Sequence, residues 1–473
     1  MSFVSLELYL ALAPAVLAFY WIPSRWRAIY LLALSYGFYA LSSRIYLVLL
    51  IAASAGVYAI GLAIARSGEE RAKQGWMALG VAVIVAVVVA FKAAGAWRGF
   101  LLPLGVSFYS FKLISYLIEV YWDDEAVERD PFIFFLFPAF FPQIVSGPIQ
   151  RPDPFFAQMR DIMARRIDAD QVEMGCRLIL GGLMMKTLVG DRLAAFIDLI
   201  DPSYSDYSWS VMLVTVGSYL LQLYADFSGY TNIALGIGRL FGIEGPPNFN
   251  APFSSINIQE FWRRWHMSLT LWLTDYLFTP LSMTLRDYGY AGLIGAIFLN
   301  MIIIGLWHAF TLNYLVFGVL QAVFLSVTVV ILNARSRRRR AAGTKNQAQG
   351  GAGTPQAALH LLGAALTFVL VSFAMIFFHS PTWGQAMSVL AQTLGFTPSG
   401  SIGWRDLQAY QTIPEWTCIA IALYVGAGAP GARALGQSVS AVTPPRWLQY
   451  GVCLFLLTVL STAGSGRFIY GQF

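Results

Sequence analysis

The sequence predicts an all-α protein that crosses a membrane many times, and three observations predict it. First, 57% of the 473 residues are hydrophobic and only 12% are charged, against roughly 25% charged in a soluble domain. Second, the mean hydropathy is +0.61, more apolar surface than a water-soluble fold can hide. Third, the apolar residues fall in runs of about twenty, the length an α-helix needs to cross a hydrocarbon core of ~30 Å. Inside lipid every backbone polar group must be satisfied within its own segment, so such runs are helices.

Taken in order, candidate helices occupy residues 3–22, 27–41, 44–65, 75–93, 101–121, 173–198, 209–227, 290–309, 312–333, 359–379, 414–428 and 447–462. They read as one membrane-embedded domain over residues 1–473. The first run, Phe3 to Trp21, has no basic residue before it and is followed by Arg25 and Arg27. That is the reverse of a secretory signal, so a retained helix with its N-terminus outside is expected. Arg66, Arg71 and Lys73 then fall on the same inner side. The excess of 31 Lys and Arg over 25 Asp and Glu lies largely between the apolar runs, which signals topology rather than a nucleic-acid partner. Arg335 and Arg337 to Arg340 open a flexible cytoplasmic loop expected over about residues 334–357. It would either meet anionic headgroups or an anionic donor, or simply retain positive charge inside. Cys176, Cys418 and Cys453 are odd in number and lie in or beside apolar runs, so neither a disulfide framework nor a metal site is indicated.

Three regions break this pattern, and irregular backbone at bilayer depth survives only inside protein or beside a watery cavity. In Phe132 to Pro154, Pro142, Pro148, Pro152 and Pro154 cut an otherwise spanning stretch, which suggests a re-entrant segment. In Tyr224 to Phe253, Asp226 sits in bilayer-like sequence, where it must face a cavity or a partner such as an arginine or backbone amides. Gly238 and Gly242 there suggest close helix packing. In Asn257 to Pro280, Asn257 followed at three by Glu260 marks a helix start. Phe261, Trp265, Leu269, Trp272 and Tyr276 would then form one aromatic face of a tilted or amphipathic helix, with Arg263 and Arg264 at its cytoplasmic end.

Only four histidines occur: His266, His308, His360 and His379. His308 lies in the apolar run LNMIIIGLWHAF, where an imidazole either carries chemistry or ties helices together. A histidine suits acyl transfer: near neutral pH it can take a hydroxyl proton as the oxygen attacks a thioester, then return it to the leaving sulfur. For His266, burial and the cation of Arg263 one turn earlier would both favour the neutral imidazole; it could equally be a hydrogen-bonding anchor. His360 and His379 read as interfacial. There is no HExxH, GxxxxGK[ST] or GxSxG, so zinc hydrolysis, nucleotide hydrolysis and a serine-elbow hydrolase lack support.

In order, FFPQIVSGPIQR, YADFSGYTNIALGIG, PPNFNAPF, FWRRWHMSLTLWLTDYLFTPL and GLWHAF resemble the membrane-bound O-acyltransferase (MBOAT) family. The resemblance extends from LLALSYGFYA to FIYGQF and looks strongest to the bacterial branch of alginate O-acetylation proteins, more distantly to lipoteichoic acid D-alanylation proteins. It implies a ring of tilted helices around a central tunnel, with re-entrant or broken helices. It also implies acetyl-CoA or another acyl-CoA as donor substrate with no bound cofactor, and a polysaccharide as final acceptor. The chain would then work in the bacterial inner membrane, among lipid, with an extracytoplasmic acetyltransferase as partner. By the same resemblance His308 matches the family's catalytic histidine and His266 an assisting one. Asp226, Asn248, Asn250, Arg263, Arg264, Trp265 and Trp307 would shape the donor or acceptor tunnel. GLWHAF and SMTLRD depart from the alginate-type pattern, which leaves the acceptor polymer open.

A rival from another class is a transporter or non-catalytic scaffold whose broken helices form a path and whose histidines relay protons; inverted repeats would favour it. No convincing repeat relates the two halves, and the irregular regions gather in one central block.

Overall fold

The computed structural model describes residues 5–98, 103, 105–145, 147–162, 168–341, 354–398 and 400–403, together with positions 406 and 457. The helices expected over 414–428 and 447–462 lie outside the described residues. The chain opens with α1 (Leu6–Trp21), α2 (Arg27–Ser42), α3 (Arg44–Arg66), α4 (Glu70–Arg98) and α5 (Val106–Trp122). Three short pieces follow, α6 (Pro131–Ala139), α7 (Phe141–Ile144) and α8 (Pro152–Ile162). Next, α9 (Ala169–Met184) joins α10 (Asp191–Ile200) through a widened π turn, and α11 (Trp209–Leu240) runs for 32 residues. After α12 (Ile258–Arg264), α13 (Met267–Leu273) and α14 (Thr279–Thr284) come α15 (Gly289–His308), α16 (Leu312–Ala341), α17 (Thr354–His379) and α18 (Trp383–Thr393). Among the described residues the only strand-like pairing is a single bridge between Tyr207 and Ile402. Six described helices are long and apolar enough to cross a membrane: Arg44–Arg66, Glu70–Ala94, Trp209–Leu240, Arg286–His308, Leu312–Arg338 and Ala357–His379. The fold is all-α, of a polytopic membrane protein.

The described residues fall into two compact units, one within Met1–Thr187, Asp226–Pro247 and Arg446–Phe473, the other within Leu188–Ala225 and Asn248–Pro445. In the first unit the proline-cut region is broken as its sequence demands. Asp130 caps α6, its Oδ1 accepting from the amides of Phe132 and Ile133 at 2.8 and 3.3 Å, and Pro131 fills the first helical turn, where no amide is missed. Nine residues make only about 14 Å of helix, too short to span. Buried Phe134, Phe137, Phe140, Phe155 and Phe156 pack around this break. A buried polar chain runs beside it. Lys112 Nζ donates to the Phe137 carbonyl at 3.1 Å and to Gln143 Oε1 at 2.9 Å. Gln143 Nε2 then donates to Gln150 Oε1 at 2.6 Å, and Gln150 Nε2 to the Glu244 carbonyl at 2.9 Å. The Phe137 carbonyl, in the last turn of α6, thus finds a side-chain partner.

The second expected break differs from its sequence reading. Residues 224–240 are continuous helix, and the glycines that allow close packing are Gly229 and Gly236 rather than Gly238 and Gly242. A Cβ on Gly182 of α9 would stand 2.5 Å from the Gly229 carbonyl oxygen, and one on Gly236 would stand 2.6 Å from that of Gly175. Two glycine pairs, each seven residues apart, therefore let α9 and the end of α11 touch backbone to backbone. Gly242, at φ +77°, ends the helix instead. The Ile243 amide donates to the Gly238 carbonyl and the Gly242 amide to that of Arg239, both at 2.9 Å, a Schellman cap.

In the second unit α15 and α16 form a tight hairpin. A Cβ on Gly305 would meet the Tyr314 carbonyl oxygen at 2.2 Å and one on Gly318 that of Met301 at 2.6 Å. The first residues of the loop expected over 334–357 are instead the last turns of α16, which runs through Ala341; residues 342–353 lie outside the described residues. Arginine is a good helix former, and the Arg337 guanidinium lies 5.1 Å over the Tyr290 ring, a cation–π contact that holds the last turns.

Candidate active site

The third expected break is real but takes another form. Asn257 caps α12 as its spacing predicts, Oδ1 accepting from the Glu260 amide at 2.9 Å, and the Glu260 carboxylate accepts from the Ile256 amide at 3.1 Å. The helix then stops at Arg264 rather than carrying the aromatic face on to Tyr276. Trp265 is extended, and His266 adopts the left-handed conformation at φ 44°, ψ 52°. A non-glycine residue is costly there, and the surroundings hold it. The Met267 amide donates to the Asn248 carbonyl at 2.8 Å and the Asn250 amide to the Arg264 carbonyl at 3.0 Å, so the NFN segment lies alongside the turn. Asn248 Oδ1 also accepts from Ser268 Oγ at 2.8 Å and from the Ser268 amide at 3.3 Å. His266 in turn caps α13, its Nδ1 accepting from the Leu269 amide at 3.3 Å, which puts the neutral imidazole's proton on Nε2. Burial pushes its pKa down to about 3.

The other predicted residues in this region separate. Trp265 is buried, stacked on Phe261 with centroids 5.4 Å apart and edge-on to Phe249 at 5.2 Å, with Tyr224 and Phe253 completing the cage. Arg264 is held by Glu260 at 2.7 Å and also donates to Ser254 Oγ and the Asn250 carbonyl. Arg263 is exposed. Asp226 belongs to the first unit, where its carboxylate meets Lys186 Nζ at 2.6 Å with both side chains buried. The sequence calls for a cavity or a partner here, such as an arginine or backbone amides; the partner is a lysine in the widened turn after α9, in a run whose apolar neighbours hide the pairing from a linear reading.

His308 is the last residue of α15, and Ala309 leaves the helix in extended conformation. The Gly305 contact brings the start of α16 against this end. The imidazole is buried, stacked with Tyr314 at 5.9 Å and edge-on to Phe378 of α17 at 4.8 Å, while half-buried Trp307 lies 4.7 Å away. Tyr314 and Phe378 are the site residues sequence reasoning missed; Tyr314 could have been found from its place one turn beyond a helix end that carries a histidine. Both histidine environments rest on α16. Tyr314 meets His308, while Gln321, seven residues later, accepts at 3.2 Å from Trp262 Nε1 of α12, the helix that leads to His266. Those two positions are about 10 Å apart along the helix axis. The remaining histidines both lie on α17, where His379 directly follows Phe378. His360 is exposed on α17. His379, rather than simply meeting the interface, places its Nε2 2.6 Å from Asp201 Oδ2.

Residues 130–347 match the sequence model of the membrane-bound O-acyltransferase family. Over 336 residues the chain is 33% identical to the probable alginate O-acetylase AlgI of Pseudomonas fluorescens, covering 68% of this chain and 66% of that one. It is 32% identical over 392 residues to the protein of the same name from Pseudomonas syringae pv. tomato, covering 78% and 70%. The peptidoglycan O-acetyltransferase of Helicobacter pylori is 28% identical over 374 residues, covering 71% and 67%. The chain thus spans about two thirds of the length of the relatives it matches. The matched segment contains the buried His266 turn, the α15–α16 hairpin and His308, and with these relatives it shows that the chain belongs to the membrane-bound O-acyltransferase family.

Proposed function

We propose that this protein is an O-acyltransferase that takes an acyl group, acetyl in the first instance, from a cytoplasmic acyl-CoA and passes it to a hydroxyl acceptor on the opposite side of a bacterial inner membrane. The observation that carries this reading is the order of features along α16. Its first turn holds Tyr314 against His308, its second and third reach Gln321 and the His266-bearing segment, and its last turns carry Arg335, Arg337 and Arg338. By the positive-inside rule the arginine end is cytoplasmic. The donor then arrives past the His266 level, and His308 lies towards the acceptor side. The N-terminus is outside by the same rule, and exposed apolar residues such as Ile45, Val48 and Val83 meet lipid.

His308 acts as general base. Its imidazole takes the acceptor hydroxyl proton as that oxygen attacks the thioester carbonyl carbon. The carbon–sulfur bond then breaks, and the imidazolium returns the proton to the leaving thiolate, so no net proton is consumed. The Tyr314 and Phe378 rings enclose this buried imidazole. His266 assists from the donor side through the turn it caps. Asn248 holds that turn, Trp265 and Trp307 wall the path, and Asn250, Arg263 and Arg264 support it from the same unit. The relatives' names, alginate O-acetylase and peptidoglycan O-acetyltransferase, support a polysaccharide or cell-wall polymer as final acceptor; an extracytoplasmic acetyltransferase that completes the transfer is part of the same proposal.

The test is release of labelled acetyl from acetyl-CoA by the purified full chain in nanodiscs, with a candidate extracytoplasmic partner present and a D-alanyl thioester as parallel donor. Transfer by wild type and its loss in well-folded His308→Ala supports the reading. Turnover of the D-alanyl donor alone moves the acyl group from acetyl to D-alanyl. No turnover of either, or of longer acyl-CoAs, sinks the enzyme reading and favours the transporter or scaffold.

A further inference from the structure

His379 and Asp201 form a second acid–base pair that the proposed chemistry does not use. Nε2 and Oδ2 are 2.6 Å apart and both side chains are 31% exposed, so the pair is open to the solvent side of its own unit. The imidazole lies on the Tyr219 ring, centroids 4.1 Å apart. Around it is a cavity of about 20 Å³, lined in part by Thr215, Tyr219, Ser380 and Gln385, room for about one water molecule. Three consecutive residues at the end of α17 make three different attachments. Phe378 packs edge-on against the His308 ring at 4.8 Å and against Tyr314 at 5.1 Å. His379 holds Asp201, and the Ser380 carbonyl accepts from Asn313 Nδ2 of α16 at 2.7 Å.

We infer that the His379–Asp201 pair is a positioning device for His308, acting through Phe378 and the last turn of α17. The physical basis is mechanical. Phe378 and His379 are adjacent on one rigid helical turn, so the direction in which His379 is pulled by Asp201, the residue that follows α10, fixes how Phe378 meets the His308 imidazole. An unpinned α17 end would let the Phe378 ring move away, opening the imidazole to water and changing its orientation. Asp201 opens the largely exposed Asp201–Asp206 turn, so events on this face, such as acceptor or partner arrival, have a direct route to the base. This inference rests on the reading of His308 as the base, and its first test does not depend on turnover.

The experiment measures carbethoxylation of His308 by diethylpyrocarbonate, followed peptide by peptide by mass spectrometry, in the full chain in nanodiscs. Wild type, Asp201→Asn, His379→Ala and His379→Gln are compared, with folding checked by size-exclusion profile. His379→Gln retains an amide donor for Asp201. Expected is an increase in His308 labelling of about fivefold in Asp201→Asn and His379→Ala, not additive when the two are combined, with His379→Gln returning towards wild type. In the acetyl-transfer assay the same variants lower kcat by a similar factor with KM for the donor unchanged. Raised labelling in a wild-type background that transfers no acyl group upholds the positioning and sinks only the proposed function. Unchanged His308 labelling in well-folded Asp201→Asn and His379→Ala overturns the inference. So does misfolding of all three variants, which would make the pair a general clamp.

Discussion

The two units solve the problem of polar groups in an apolar interior in different ways. In the first, Lys186 pairs with Asp226, and Lys112 donates to the Phe137 carbonyl and to Gln143, from which the chain runs through Gln150 to the Glu244 carbonyl. In the second, His266 and His308 are enclosed mainly by rings and by the backbone of a tight turn. A charge that is neutralised by a neighbour is committed to architecture, because moving it would strand its partner. An imidazole walled by aromatic rings keeps a nitrogen's reactivity in a dry setting, which is what a general base needs. Under the proposed function, the first set of residues serves stability and the second chemistry.

The largest effect should come from His308. His308→Ala is expected to lower acetyl transfer by roughly a hundredfold to ten-thousandfold while leaving thermal unfolding close to wild type; a large loss of stability with modest loss of transfer would reverse the assignment. In the other unit the pattern should invert. Asp226→Ala strands Lys186 and should cost about 3–5 kcal/mol in denaturation midpoint experiments, with most of it restored by pairing Asp226→Leu with Lys186→Met. If the doubly substituted, well-folded protein loses acyl transfer, Asp226 belongs with the chemistry after all.

Smaller effects sharpen the same contrast. Gly236→Val puts a Cβ 2.6 Å from the Gly175 carbonyl oxygen and 2.7 Å from Ile179 Cγ1, and overpacking of this kind should cost about 1–3 kcal/mol. Asn248→Ala removes the acceptor for Ser268 and should cost about 1–3 kcal/mol, with transfer falling further than stability if the His266 turn serves the site. The pH response is the finest probe. His266 titrates at about 3 when folded and near 6.5 when unfolded, so between those values the unfolded chain holds the extra proton and stability falls as pH is lowered from about 6.5. His266→Gln should flatten that part of the stability profile; an unchanged slope would show that His266 is not buried as a neutral imidazole.

Much of this was legible in the sequence because membrane physics is restrictive. Apolar length placed α1 to α3 within a few residues, the prolines placed the break around α6 and α7, and Asn257 with Glu260 placed the start of α12. What could not be read were pairings across sequence distance: Lys186 with Asp226, Asp201 with His379, Phe378 with His308. The glycines misled for a related reason. A glycine that ends a helix, Gly242, and one that lets two helices touch, Gly236, look alike in one dimension, and only the neighbouring chain distinguishes them. The run from Phe261 to Tyr276 misled because its period is helical, while the NFN segment supplies the competing backbone partners that break it at Trp265 and His266.

The left-handed backbone at His266 gives that position two separable duties. One is conformational, and asparagine or glycine can perform it, since both tolerate this region of backbone space. The other belongs to the ring. A family member with asparagine or glycine here would keep the bend between its two short helices while having given up the imidazole, whereas one with valine or isoleucine would have had to rebuild the bend itself. Reading this single column across relatives would therefore sort lineages that dispensed with the ring from lineages that refolded the segment, before any of them is purified.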